Sequence, residues 1–313
     1  MKVLKIVGLV MSVLIVVTFI GASVFIGSQV ADSLIYQNVG KDTKEASVYQ
    51  LEAWDYSIES FEEQYSITKN SVISQDGVVV PFAILGSDTL SNQDTVILVH
   101  GLGGDFVSVY PQAEMYLKNN YNVIAIDQRA SGESLDDKVS FGYYEKQDVK
   151  AVVDYVKNQN IEGKIVVHGF SMGAATAGLY GGTDHANQNI DGVIMDSSFE
   201  SLKSVFKSVW DDMNTGLPYS YAVWCGDIVL KTKYGFGFDD ADVNFALQSC
   251  QIPVLVIQGK QDDIATITMG QNMYDSVKTG KKEIWIIDTK HIEGYIDFPI
   301  EYTEKVFDFL GQN

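Results

Sequence analysis

The sequence predicts an α/β fold: a mostly parallel central sheet with helices on both faces, an inserted helical cap and an N-terminal transmembrane helix. Three observations carry that expectation. Short, β-rich apolar runs recur along the chain with helical segments between most of them. Continuously apolar strands alternating with helices imply a parallel sheet covered on both sides. More than fifty residues between Asp196 and Pro253 hold no clear strand, too many for a plain crossover. Finally, a 22-residue stretch from Ile6 to Gly27 carries no charge.

That stretch is long enough to cross a hydrocarbon core of about 30 Å at about 1.5 Å per residue. A secretory signal has a shorter apolar region and a small-x-small cleavage site. The candidate sites here, Gly21-Ala22-Ser23 or the stretch before Asp32, are poor or poorly placed, so the segment reads as an uncleaved signal anchor. Lys2 and Lys5 precede it and acids dominate after it. The positive-inside bias then puts the N-terminus in the cytoplasm and the bulk of the chain outside.

Residues 28–65 are polar and acidic but include Tyr36, Tyr49, Trp54, Tyr56 and Phe61. They read as a juxtamembrane stalk or as helices packing on the domain edge. Ser66–Ser74 and Val78–Leu85 flank the Gln75-Asp76-Gly77 turn, a hairpin pattern. Further strands are expected at Thr95–Val99, Asn122–Ile126, Lys164–Val167, Ile190–Met195, Pro253–Ile257 and Glu283–Ile287. Helices are expected at Val109–Lys118, Glu145–Gln159, Met172–Tyr180, Met269–Val277 and Ile300–Leu310. The expected organisation is an anchor over 1–27, a juxtamembrane segment over 28–65 and the α/β domain over 66–313, with the cap at about 199–250. Aromatics crowd the cap, among them Trp210, Tyr219, Tyr221, Trp224, Tyr234, Phe236 and Phe238. They either fill its own core or line an apolar cleft.

Composition excludes several functions. The 313 residues carry 22 Lys+Arg against 41 Asp+Glu, a net charge of −19, and Arg129 is the only arginine. A nucleic-acid binder needs a basic footprint, which is missing. Two cysteines, Cys225 and Cys250, cannot build a disulfide framework or a Cys-rich zinc site; one bridge between them stays open for a secreted domain. No glycine-rich dinucleotide fingerprint and no H-E-x-x-H zinc motif is present, and no metal or organic cofactor is expected.

The strongest chemical signal is Gly169-Phe170-Ser171-Met172-Gly173, after an expected strand and at the head of an Ala-rich helix. G-x-S-x-G in that context is a nucleophile elbow, a tight turn that lifts the serine hydroxyl above the sheet. The hydroxyl needs a base, itself held by a third group. Four histidines compete. His168 lies at a strand end and reads as structural; His100 opens His100-Gly101-Leu102-Gly103-Gly104 and suits an oxyanion loop; His185 reads as a solvated surface residue. His291, between the last strand and the last helix, is the best base, because open α/β sheets place their sites at strand carboxyl ends. The acid belongs between serine and histidine in chain order. Asp262, after the strand Pro253–Ile257, fits best, with Asp196 and Asp263 as competitors. Asp196 reads more simply as satisfying local backbone donors in its Asp-Ser-Ser turn.

With these motifs in order, residues 66–310 resemble the α/β-hydrolase superfamily. Within it they resemble bacterial membrane-anchored or cell-surface serine hydrolases related to the S33 aminopeptidase and esterase group. The resemblance rests on HGLGG at 100–104, DQRASGES at 127–134, FGYYEKQD at 141–148, VHGFSMGAAT at 167–176, MDSSF at 195–199, IQGKQDD at 257–263 and KHIEGY at 290–295. It implies Ser171 as nucleophile, His291 as general base, Asp262 as the acid, and the N–H groups of Leu102 and Met172 as the oxyanion hole. Ala130-Ser131 replace the Gly-His pair of many relatives, and Lys290 stands where they usually have glycine, a change expected to tilt the His291 loop. Arg129 is expected to brace the loops against a carboxylate.

The function expected is an extracytoplasmic serine hydrolase cleaving carboxylic esters through an acyl-enzyme. Its partners would be a small ester or short peptide and, through the N-terminal helix, a membrane. Rivals are a peptidase or aminopeptidase, which would want a cap carboxylate, an envelope acyltransferase using the same triad, and a catalytically inactive surface-binding module.

Overall fold

In the computed structural model, residues 2–278 and 280–311 are described. Eight strands form one sheet: β1 (Ile67–Ile73), β2 (Val79–Leu85), β3 (Thr95–Val99), β4 (Asn122–Ile126), β5 (Ile165–Phe170), β6 (Gly192–Asp196), β7 (Val254–Gly259) and β8 (Lys282–Ile287). Their order is β1-β2-β4-β3-β5-β6-β7-β8. The β1–β2 hairpin is antiparallel and joins β4 antiparallel, whereas every later pairing is parallel. The apolar runs are strands because alternate residues feed two cores. Ile97 and Val99 of β3 enter one, Val96 and Leu98 the other.

The N-terminal part comprises α1 (Lys2–Ile35), α2 (Thr43–Ala53) and α3 (Ile58–Gln64). Between strands come α4 (Tyr110–Lys118), α5 (Glu145–Lys157), α6 (Met172–Gly181) and the short α7 (Asp184–Asn189). The cap contributes α8 (Leu202–Asp212), α9 (Tyr219–Val229) and α10 (Val243–Leu247); α11 (Ile267–Ser276), α12 (Gly294–Asp297) and α13 (Pro299–Leu310) complete the chain. Asp42 caps α2 by accepting from the Lys44 and Glu45 N–H groups, and Ser57 caps α3.

The apolar run proves to be part of a longer helix. α1 continues eight residues past Gly27, and its last turns bury Val30, Ala31, Leu34 and Ile35 in the core shared by α5, α6 and the cap. Leu51 of α2 and Phe61 of α3 enter the opposite core, with Tyr110 and Tyr302. Residues 36–42 therefore cross the carboxyl edge of the sheet from one layer to the other, and 28–65 is a packed part of the fold. The crossing is held by Asn38 Nδ2 donating to Ser131 Oγ (3.1 Å) and by the Gly132 N–H donating to Thr43 Oγ1 (2.8 Å).

Some of the cap aromatics fill the cap, whereas Tyr221 packs on Phe19 of α1 and Trp224 is exposed. Phe206 packs against Trp210, Tyr219 and Phe238 at ring separations of 5.3 to 5.8 Å. Cys225 and Cys250 are both buried free thiols, so the bridge left open by the sequence is not formed. Arg129 braces two carboxylates: Nε and Nη2 hold Asp148 at 2.8 and 2.7 Å, while Nη1 and Nη2 hold Asp76 at 2.7 and 2.9 Å. These bidentate contacts tie the loop after β4 to α5 and to the β1–β2 turn.

Candidate active site

Ser171 stands between β5 and α6 with φ 53° and ψ −115°, a backbone conformation costly for a residue with a side chain. Its N–H donates to the Asp196 carbonyl of β6 (2.9 Å), which ties the elbow to the neighbouring strand. The flanking glycines are needed sterically. A methyl on Gly169 would lie 2.1 Å from the Gly173 carbonyl oxygen, and one on Gly173 would lie 2.0 Å from that of Val99. Any side chain at either position would push the elbow off the sheet.

Two loops converge on the serine hydroxyl. Asp262 follows β7, and its Oδ1 accepts the N–H groups of Ile264 (2.9 Å) and Ala265 (2.8 Å). Its Oδ2 faces His291 Nδ1 at 2.7 Å, and His291 Nε2 lies 2.8 Å from Ser171 Oγ. A carboxylate only accepts, so Nδ1–H donates to Asp262 and Nε2 is left to accept the Ser171 proton. The two loops are tied together: Lys260 N–H donates to Ile287 O (2.8 Å) and Gln261 N–H to Thr289 O (2.9 Å). Lys290 is exposed, and with it in place His291 still reaches the serine.

The competing acids lie elsewhere. Asp263 is exposed. Asp196 is buried and accepts hydroxyls, Tyr302 Oη at 2.6 Å and Ser197 Oγ at 3.0 Å, instead of the backbone donors expected for it. Tyr302 Oη also meets His168 Nε2 (3.1 Å), and His168 Nδ1 meets Tyr116 Oη (3.0 Å). Since Tyr302 gives its proton to Asp196, His168 Nε2–H donates to Tyr302 and Nδ1 accepts from Tyr116. Burial pushes the His168 pKa down to about 3 and keeps it neutral. This chain ends beside His291, because Ser197 Oγ accepts the Ile292 N–H (3.0 Å).

Burial raises the Asp196 pKa from 3.8 to about 6, against the pull of the Tyr302 and Ser197 hydroxyls. The folded protein therefore holds this proton between about pH 4 and about pH 6, where the unfolded chain has lost it, so the group makes stability fall as pH rises through that window. Asp196→Asn removes this slope. Urea unfolding at the two ends of the window should show the variant gaining about 3 kcal/mol on the parent from low to high pH. A constant gap would refute the assignment.

The other histidines are structural. His100 is fully buried; its Nδ1 contacts Gly101 O (2.7 Å), and Nε2 accepts the Gln128 N–H (3.0 Å). This fixes the glycine-rich loop against the strand ends, where a methyl on Gly101 would sit 3.3 Å from Ser171 Cβ. His185 departs from expectation. It lies in the short helix α7 and is partly buried, with Nε2 on Asp154 Oδ1 (2.9 Å) and Nδ1 on Tyr180 Oη (2.8 Å).

A cavity of about 320 Å³ opens on Ser171 and His291. Leu102 lines it, and Met172 is the first residue of α6, so its N–H lies outside the helix ladder. Gln50 and Trp54, from α2 and its C-cap, form another wall. Gln112 also lines the cavity, and its buried Oε1 has no hydrogen-bond partner among the described residues. None of the cap aromatics or cap acids lines it. Instead Asp227 holds Lys231 and the Phe238 N–H, Asp239 pairs with Lys203, Asp211 pairs with Lys207, and Asp242 caps α10. The sequence signalled Trp54 only as an aromatic in an acidic stretch; its place beside the serine depends on the crossing at 36–42.

Known proteins share this architecture. A family model described as alpha/beta hydrolase fold matches residues 94–224. The uncharacterized protein YqkD of Bacillus subtilis (strain 168) is 30% identical over 223 residues, spanning 69% of this chain and 71% of that one. The 2-hydroxy-6-oxo-6-(2'-aminophenyl)hexa-2,4-dienoic acid hydrolase of Metapseudomonas resinovorans is 23% identical over 257 residues, spanning 69% and 84%. The solved structure of the Pyrococcus furiosus esterase Pf2001 superposes with a TM-score of 0.63 at 25% identity, covering 82% of this chain and 93% of that one. With the eight-stranded sheet, the serine elbow and these likenesses together, the chain belongs to the α/β-hydrolase family.

Proposed function

We propose that the protein is a serine hydrolase that cleaves carboxylic esters through Ser171, His291 and Asp262. The observation that carries this reading is the unbroken line from Asp262 Oδ2 through both nitrogens of His291 to Ser171 Oγ, at 2.7 and 2.8 Å. In the proposed reaction Ser171 Oγ attacks the ester carbonyl carbon while His291 Nε2 takes its proton. Asp262 holds the imidazole tautomer and stabilises the imidazolium. The N–H groups of Leu102 and Met172 receive the developing oxyanion, each donor contributing about 3–4 kcal/mol. His291 returns the proton to the leaving alcohol, and water then cleaves the acyl-enzyme by the same steps in reverse roles. The esterase among the solved likenesses supports an ester substrate.

We place the enzyme at the cell membrane with the catalytic domain outside. α1 supports this: its most apolar 18 residues have a mean hydropathy of 2.7, and the lysines lie at its N-terminal end. The proposed organisation is an anchor through Gly27 and a hydrolase domain from residue 66, with 28–65 folded onto that domain. Full-length protein should hydrolyse p-nitrophenyl butyrate and leave amino-acid p-nitroanilides intact. Anilide cleavage without ester cleavage would favour a peptidase instead. Protease added to intact cells should remove the domain; protection would overturn the orientation.

A further inference from the structure

The helix α1 is too long to be only an anchor. Its 34 residues rise about 50 Å, while a hydrocarbon core is about 30 Å thick. Counting about twenty residues from Ile6 brings the outer boundary near Phe25. At this level the cap meets the helix. α9 runs alongside α1 in the same direction: Tyr221 Oη bonds Ser23 Oγ (2.7 Å), and its ring lies 6.0 Å from that of Phe19. Further along, a methyl on Gly27 would strike the Cys225 carbonyl at 2.4 Å, one on Gly226 would strike Val30 at 2.6 Å, and Lys233 pairs with Asp32 (2.8 Å). The start of α9 and the turn before it thus point toward the membrane.

We propose that the α8–α9 hairpin is a lipid-contact surface that seats the hydrolase on the outer face of the bilayer, resting on the reading that α1 spans it. Its exposed side chains fit that occupant. Trp224 is 51% exposed, stacks on Tyr221 (6.0 Å, 21°) and stands between the levels of Ser23 and Gly27, where interfacial aromatics belong. Met213 (59%) and Leu217 (41%) lie in the turn on the membrane side of Tyr221. Their exposure is set by the fold: Trp210 Nε1–H donates to Leu217 O (3.3 Å), and Tyr219 Oη donates to Lys203 O (2.8 Å). Asp211 and Asp212, at the end of α8, are exposed and Asp211 pairs with Lys207, so the hairpin tip dips past the level of Phe25 only as far as these carboxylates still reach the headgroups. α9 lies in the insertion after the carboxyl end of β6, and the α1 end also bonds the loop after β4 through the Val139 N–H to Ile35 O (2.9 Å), so this seating turns the edge of the sheet that carries Ser171 toward the bilayer.

The test uses the full-length chain reconstituted in phosphatidylcholine vesicles whose acyl chains are brominated, compared with plain vesicles. Bromine should quench tryptophan fluorescence in the parent, and Trp224→Phe should remove the larger part of that quenching. Trp224 is half exposed, so the substitution leaves the core intact. Equal quenching of parent and Trp224→Phe, in protein that stays with the vesicles through an alkaline wash, would overturn the hairpin contact and leave the anchor standing. Protein that washes off would overturn the anchor and the contact together.

Discussion

Ser171→Ala is expected to lower kcat for p-nitrophenyl butyrate by about 10⁶ while leaving the fold unchanged. The methyl side chain keeps the Cβ that the elbow already accommodates, and the Ser171 N–H to Asp196 O bond uses only backbone. In the proposed reaction the acyl group attaches to this hydroxyl; Ser108, which also lines the cavity, gives its proton to Asp105 O (2.7 Å) and is not placed to replace it. The measurement is steady-state kinetics with circular dichroism as the folding control. A folded variant that retains activity would remove Ser171 from the chemistry.

Asp262→Asn is expected to lower kcat by about 10⁴. The size follows from which end of the new amide meets the histidine. Ile264 and Ala265 N–H groups both point at Oδ1, so that atom must stay an acceptor, and the amide nitrogen must take the place of Oδ2. It then donates to His291 Nδ1, forces the ring proton onto Nε2, and leaves the Ser171 hydroxyl without an acceptor. Asp263→Asn and Asp196→Asn, which change no contact of the His291 ring, should keep kcat within about tenfold. Near-parental activity in Asp262→Asn would break the assignment.

The parts of the fold that depend on local pattern were legible in the sequence. Thr95–Val99 and Asn122–Ile126 are strands with those bounds, since a short apolar run between turns admits little else. Ser171, Asp262 and His291 could be named because G-x-S-x-G and strand-end position carry them. What the sequence hid depends on contacts between distant segments. Helix α1 outruns its apolar stretch because Val30, Leu34 and Ile35 are paid in packing against the cap and α5, which no hydropathy window records. Trp54 reaches the cavity only because residues 36–42 cross the sheet edge. Asp196 and His185 look like turn and surface residues, but their partners Tyr302 and Asp154 lie 106 and 31 positions away. The cap aromatics left two readings open, and packing of Phe206, Trp210, Tyr219 and Phe238 against one another selects the cap's own core.

In the proposed reaction Ser171 is an activated nucleophile. A fluorophosphonate, which reacts preferentially with an activated serine hydroxyl, tests it without knowledge of the natural substrate. Incubated with full-length protein and followed by peptide mass spectrometry, the probe should add one phosphonyl group, on Ser171. Labelling should vanish in Ser171→Ala and slow sharply in Asp262→Asn. A folded parent that takes up no probe, or takes it up at another residue, would contradict the account.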